Sequence, residues 1–434
     1  MTFEPLQLSA GLGPVRRRGL TCRHPSDMFA SLPSASLAAR PHAADHWRHE
    51  TVKPRIYFDN SATTRVDPKV LEAMIPFFRD TFGNASSIHT FGQEARAAVE
   101  DSRRAMADLL GADTREIVFT SGGTESDNAA LWGAYCPGDH VITTRIEHPA
   151  ILATCKALQS AGAEVTYVPV DSSGRVDPSE IAASITDRTK LISVMHANNE
   201  TGVIQPIEEI AALARDHGIV FHTDAVQSAG KIPVNVRALG VDLLSMSGHK
   251  IHGPKGIGVL YVRKGTKLTP FMTGGSHERK RRAGTENVPA IVGLGAAARL
   301  ALDRLPEMTT RVGGLRDLLE RQVRERIPGV RTNGTVENRL PNIANLSFEG
   351  LEGETMVIAM DLEGIAISTG SACASGSLEP SHVLIAMGLR PEAVQGSLRF
   401  SLAYHNTEQE VESVLSTLTR VTERLRRLSG RVHA

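Results

Sequence analysis

Cys373 lies in the run Ser368-Thr369-Gly370-Ser371-Ala372-Cys373-Ala374-Ser375-Gly376-Ser377, which offers the thiol almost nothing to pack against. A core cysteine normally has apolar neighbours. This one reads either as the thiol of an exposed, mobile loop or as a small cysteine in a tight turn. A loop thiol can take up sulfur at a reaction centre and carry it elsewhere. A second set of polar residues follows a series of short apolar runs. Thr120-Ser121-Gly122-Gly123-Thr124-Glu125-Ser126-Asp127-Asn128 leads into a helix and has the composition of an anion cup. Glu147-His148-Pro149, His196-Ala197-Asn198-Asn199-Glu200-Thr201-Gly202, Asp224-Ala225-Val226-Gln227 and Ser247-Gly248-His249-Lys250 close later runs.

Read singly, each of these is a helix cap or a solvated charge. Together they place an acid and a lysine at the ends of two strands, facing a phosphate cup. That arrangement suits pyridoxal phosphate: the lysine can form a Schiff base, and the carboxylate can pair with the pyridine nitrogen and keep it protonated. The cup is not GxxxxGK[ST], so a nucleotide P-loop is not supported. No two histidines share a helix face at ligand spacing, which argues against a metal centre.

The elements that must position these groups are legible. Ile117–Thr120, Val141–Thr143, Val165–Val168, Leu191–Met195, Val220–His222 and Leu243–Met246 read as strands. Helices over Asp127–Trp132, Ile151–Ser160 and Glu208–His217 lie between them, the last capped by Gly218. The alternation predicts an α/β fold: a mostly parallel sheet covered by helices on both faces, with ligands at the carboxyl ends of its strands. After about residue 300 the pattern changes to a smaller α+β domain, with helices over Arg311–Ile327 and Thr407–Leu428. The expected division is 1–53 as an N-terminal extension, 54–300 as a large domain and 301–434 as a small domain carrying the Cys373 loop.

Composition sets further bounds. Lysine plus arginine and aspartate plus glutamate number 48 each, a balance that argues against a dedicated nucleic-acid binder. The cluster Arg279-Lys280-Arg281-Arg282 reads as a solvated or interface patch. The four cysteines, Cys22, Cys136, Cys155 and Cys373, have no framework spacing and fit a reducing compartment. No apolar run is long enough to span a membrane. Residues 1–53 read as a disordered extension, although Arg16-Arg17-Arg18 and the single acid Glu4 near the start also resemble a transit peptide. The expected location is the cytoplasm, or the mitochondrion if that segment is a targeting sequence.

The stretch Gly248-His249-Lys250-Ile251-His252-Gly253-Pro254-Lys255-Gly256-Ile257-Gly258, with Asp224-Ala225-Val226-Gln227 before it, resembles the cysteine desulfurases. These are fold-type I pyridoxal-phosphate enzymes of the class V aminotransferase family. The resemblance runs from Tyr57-Phe58-Asp59-Asn60-Ser61-Ala62-Thr63-Thr64 to Ser397-Leu398-Arg399-Phe400-Ser401-Leu402. Arg282-Ala283-Gly284-Thr285-Glu286-Asn287 and the Cys373 run are similar to the housekeeping and nitrogen-fixation group. Two positions depart from the usual pattern: Ala85, where proline is common, and Ala374, where threonine is.

The resemblance implies a seven-stranded sheet in the large domain and a set of roles. Lys250 would be the Schiff-base lysine, Asp224 the partner of the pyridine nitrogen and Gln227 the partner of the ring hydroxyl. His148 would stack on the ring and help move protons. Gly123, Thr124, Ser247 and His249 would contact the phosphate, joined by Thr285 from a second subunit of a homodimer. Asn199 and Arg399 would hold the substrate carboxylate, and Cys373 would accept sulfur. The implied reaction converts L-cysteine to L-alanine and leaves a persulfide on Cys373, which passes sulfur to an iron–sulfur scaffold or another acceptor. A selenocysteine lyase, a plain aminotransferase and a cofactor-less scaffold of the same fold are the alternatives.

Overall fold

The computed structural model describes residues 55–369 and 380–428; the segment 1–53 and Cys373 lie outside them. The strands are β1 (Ile56–Tyr57), β2 (Ile117–Thr120), β3 (His140–Thr144), β4 (Glu164–Val168), β5 (Thr189–Ser193), β6 (Val220–Asp224), β7 (Leu243–Ser247), β8 (Gly258–Val262), β9 (Val330–Thr332), β10 (Ile343–Phe348), β11 (Ile365–Ala366) and β12 (Ser397–Ser401). Seven of them form one sheet in the order β2-β8-β7-β6-β5-β3-β4. Its core pairs, β4–β3–β5–β6–β7, are parallel, and β8 runs antiparallel between β7 and β2. The expected mostly parallel seven-stranded α/β sheet is therefore present.

β2, β3, β7 and β8 are buried along their whole length, as a sheet covered on both faces requires. One face packs in a cluster that includes Met106, Leu110, Phe119, Phe221, Met246 and Leu294. The other packs in a cluster around Leu131, Ile151, Leu158, Leu191 and Leu260. The helix expected at Glu208–His217 is found at Ile207–Asp216, and Gly218 follows it at φ 65°, the left-handed geometry that ends a helix. The strand expected at Leu191–Met195 instead begins at Thr189 and ends at Ser193. Val194 N–H still bonds to His222 O of the neighbouring β6, and the chain leaves the ladder at Met195, whose N–H goes to Glu147 Oε1.

A separate three-stranded sheet, β12-β10-β9, is antiparallel and encloses its own cluster, including Phe58, Leu319, Phe348, Met360, Phe400 and Leu415. β1 pairs in parallel with β11, and Asp59 bridges to Ser401, so the start of the described chain joins this second layer. The helix Val288–Glu307 runs through a π-turn at Met308–Val312 into the helix Gly313–Arg326. Among the described residues no helix is long and apolar enough to cross a membrane.

Candidate active site

The carboxyl ends of β6 and β7 and the start of the helix Gly123–Ala134 converge on a cavity of about 180 Å³. Gly123, Thr124, His148, Asn199, Asp224, Gln227, Ser247, His249 and Lys250 all line it, with Ser61, Ala62 and Asp127. The strand-end residues thus meet in one place because parallel strands deliver their carboxyl ends to the same edge.

Lys250 lies in a 3₁₀ turn, Gly248–Lys250, directly after β7, and is 8% exposed. Its Nζ donates to Ser61 O at 2.5 Å and Ala62 O at 2.7 Å. Both acceptors are main-chain carbonyls in the segment before the first long helix, a class of contact that no side-chain pattern announces. Asp224 ends β6, and its Oδ1 accepts from Val226 N–H at 2.8 Å. Burial pushes its carboxyl up to about 6, against the pull of that bond and of Lys250. Asp127, one turn into the helix, is fully buried, and Asp224 joins burial in holding its carboxyl well above the usual range. Its Oδ1 has no hydrogen-bond partner among the described residues. His222 lies 3.7 Å from it and is kept neutral by burial, its ring bonded to Ser193 and Ser245 hydroxyls.

Gly122 precedes the helix Gly123–Ala134 without any side-chain cap, so its first N–H groups are left for a ligand. A Cβ on Gly123 would meet Val226 Cγ2 at 2.8 Å, which is why glycine sits where the chain approaches the cavity. Thr124, Ser247 and His249 add polar groups beside this end. His249 is held neutral mainly by burial, then by Lys250, at about 4.

His148 caps the helix Pro149–Ser160: its Nδ1 accepts from Ala150 N–H at 3.1 Å. Burial, then Lys250 and His382, lower its ring to about 4. The neutral ring with Nδ1 accepting carries its proton on Nε2. The preceding Glu147 is fully buried and pushed up to about 8 by burial. Its Oε1 accepts from Thr144 Oγ1 and Met195 N–H, whereas Oε2 has no partner among the described residues.

Arg399 does not line the cavity. It is fully buried on β12 behind Asn199, with Nη1 donating to Asn199 O at 3.0 Å and Nη2 to Asp59 Oδ1 at 2.9 Å. Its Nε has no partner among the described residues. Thr285 is exposed and also outside the cavity. Cys373 lies outside the described residues, but both flanks of its segment are placed. Ser368 and Arg399 exchange main-chain bonds of 3.2 and 2.6 Å. Ser381 Oγ donates to Glu200 Oε2 at 2.5 Å, and His382 Nε2 lies 2.9 Å from Glu147 O. Val383, Leu384 and Met387 then pack with Ile146 and Met195.

Several participants escaped the sequence. Asp59 lies within the stretch Tyr57–Thr64, where nothing in the residue pattern marks it as the partner of Arg399. Lys231 is a charge in an apolar stretch four residues after Gln227, and its amine is buried against the Gln227 side chain.

A donor-rich anion end, a buried acid and an amine thus share one cavity at the carboxyl edge of a mostly parallel sheet. The aminotransferase class-V family profile matches residues 56–414, and the chain belongs to that family. A cysteine desulfurase of Nostoc sp. is 51% identical over 377 residues, covering 86% of this chain and 94% of the relative. A protein named cysteine desulfurase IscS, from Methanosarcina thermophila, is 50% identical over 383 residues, covering 87% and 95%. Among solved structures, a NifS-like protein superposes with a TM-score of 0.81 at 40% identity, covering 86% of this chain and 100% of its own. One described as SspA in complex with cysteine gives 0.72 at 38% identity, covering 81% and 100%.

Proposed function

We propose that this chain is a pyridoxal-phosphate-dependent cysteine desulfurase that converts L-cysteine to L-alanine and places the sulfur on Cys373 as a persulfide. The observation that carries the reading is the convergence of Lys250, Asp224, Gln227 and the uncapped start of Gly123–Ala134 on one cavity. The donor set suits the cofactor: N–H groups, Thr124, Ser247 and His249 for the phosphate, Asp224 for the ring nitrogen, Gln227 for the ring oxygen, and Lys250 for the aldehyde. When bound, pyridoxal phosphate supplies an electron-withdrawing ring joined covalently to an amine.

The chain's own groups supply the rest. Ser61 O and Ala62 O aim the Lys250 amine into the cavity and accept its protons. Lys250 Nζ is the base for the substrate α-proton, because His148 Nδ1 is committed to the Ala150 N–H and His148 Nε2 bears a hydrogen. His148 therefore acts as a donor over the site. Asp224 faces Lys250 and holds a cation in the ring's place by charge. Arg399, behind Asn199, is the group for the substrate carboxylate, which takes the place of the Asp59 carboxylate on its planar fork while Nη1 stays on Asn199 O. The Cys373 thiolate attacks the substrate sulfur, forming an S–S bond as the C–S bond breaks, and the carbon fragment gains a proton to leave as alanine. The segment bearing Cys373 leaves the second layer beside Arg399 and returns at Ser381 beside Glu200.

A homodimer fits the same reading. Thr285 faces outward, and Phe78 (66%), Phe82 (69%) and Ile88 (91%) leave apolar surface for a second copy to cover. An iron–sulfur scaffold protein or another sulfur carrier is the acceptor class, and the cytoplasm is the proposed location. The test is to purify the chain, record its visible spectrum and assay alanine and sulfide from L-cysteine. Lys250→Ala abolishes alanine production. Cys373→Ala keeps the spectral response to L-cysteine but loses alanine and the persulfide. Alanine production by Lys250→Ala at the wild-type rate refutes the assignment.

A further inference from the structure

We infer that Lys231 is a positioning residue for this site, anchoring the Gln227 amide so that Gln227 presents its NH₂ group, not its carbonyl, to the bound cofactor. The inference rests on the proposed cofactor reading and adds a residue which that reading does not use.

Three observations lead to it. Residues 225–229 form a single helical turn after β6, in which Ser228 and Ala229 N–H both bond to Ala225 O. Gly230 then takes φ 75°, where a Cβ would meet Ile251 Cγ2 at 2.8 Å, and the chain reverses. That reversal returns Lys231 beneath Gln227, and Lys231 Nζ donates to Gln227 Oε1 at 2.8 Å. At its other end Gln227 Nε2 donates to Ser61 O at 3.0 Å, the same carbonyl that accepts from Lys250. A main-chain carbonyl can only accept, so the amide has one allowed orientation, with its oxygen on the lysine and its remaining N–H free to face the cavity it lines.

Lys231 is 4% exposed, and its amine makes this one side-chain bond among the described residues. It shares a second cavity, of about 30 Å³, with Lys250. A buried amine beside two other cations is costly, and methionine would fill the volume at less cost. Burial, then Lys250 and Arg399, drive the amine strongly toward its neutral form. A neutral amine still donates to Gln227 Oε1, so the contact does not depend on its charge. What the lysine provides and methionine cannot is the donor that keeps the Gln227 oxygen turned away from the cofactor.

The test compares Lys231→Met, Gln227→Leu and the double variant by the pH midpoint of the bound cofactor's visible absorption band. Cofactor retention through gel filtration and thermal stability are measured in parallel. A donor at the ring oxygen stabilises its anionic form, so loosening it moves the midpoint upward. One neutral hydrogen bond corresponds to roughly 0.5–1 pH unit. Lys231→Met is expected to show that rise, Gln227→Leu an equal or larger one, and the double variant no more than Gln227→Leu alone. An unchanged midpoint in Lys231→Met with only a lowered melting temperature shows a purely structural lysine and overturns the inference. So does full additivity of the two shifts. If Lys231→Met does not fold, Gln227→Leu decides alone, because no shift there removes the group through which Lys231 acts. A wild-type chain that takes up no cofactor instead sinks the functional proposal, and this inference with it.

Discussion

Glu147→Gln should stabilise the protein at alkaline pH and leave it nearly unchanged at acid pH. Glu147 is fully buried between β3 and the His148 helix, and burial raises its carboxyl from 4.5 to about 8. An acid whose folded-state value is raised binds more protons folded than unfolded between those limits. Its contribution is therefore complete below pH 4.5 and is lost as pH rises through 8. At about 1.4 kcal/mol per pH unit the linkage reaches about 4–5 kcal/mol, and relaxation around the ionised group reduces this to about 2–4 kcal/mol. Glutamine keeps the two bonds that matter, since its Oε1 can accept from Thr144 Oγ1 and Met195 N–H. Its NH₂ group replaces Oε2, which has no partner to lose among the described residues. Melting temperatures of wild type and variant, measured in parallel at pH 5 and pH 9, should coincide within a degree at pH 5. At pH 9 the variant should melt higher by roughly 2–5 °C, the size expected for a chain of this length. Other buried carboxyls titrate in both proteins, so the difference isolates this one. An equal offset at both pH values, or a variant less stable at pH 9, would refute the argument that Glu147 is held protonated.

Arg399→Lys keeps the charge but cannot span Asn199 O and Asp59 together, so kcat/KM for L-cysteine should fall about 10- to 150-fold; an unchanged value places the substrate carboxylate elsewhere. Mixed dimers of Lys250→Ala and Thr285→Ala chains should recover part of the activity, because one site carries both lesions and the other carries neither. The absence of recovery in verified heterodimers, with Thr285→Ala alone clearly impaired, assigns Thr285 to its own subunit. Glu278→Gln should destabilise the fold by about 3–5 kcal/mol, read by denaturant unfolding, because it weakens the fork of two 2.8 Å bonds to Arg103 and leaves that guanidinium in a buried setting; a loss under 1 kcal/mol contradicts that account. Deleting residues 1–50 should leave cofactor content and desulfurase activity near those of the full chain, and a large loss of either would show that the segment supports the enzyme.

The sequence alone determined the sheet and most of the chemistry at its edge. Apolar runs of strand length alternating with amphipathic helices impose parallel strands, and parallel strands send their carboxyl ends to one side. Asp224, Gln227, Ser247 and Lys250 were therefore legible as one set before any distance was known. The antiparallel β8 carries the same apolar signature as its neighbours, and its direction is set only by the short return from Lys250.

What remained for the tertiary structure are the contacts whose partners are main-chain atoms or residues far along the chain. Ser61 O serves both Gln227 and Lys250, 166 and 189 residues further along the chain, and a carbonyl leaves no mark on residue type. Arg399 reads as a plain ligand arginine, yet the fold buries it behind Asn199 and pairs it with Asp59. His148 reads as an acid or a base, and the N–H of Ala150 decides which nitrogen holds the proton. The ionisation of Glu147, Asp127 and Lys231 was equally out of reach, because it depends on how completely each group is removed from water. Pattern shows which side chains face inward; only the packed structure shows how much solvent and which partners each of them loses or keeps.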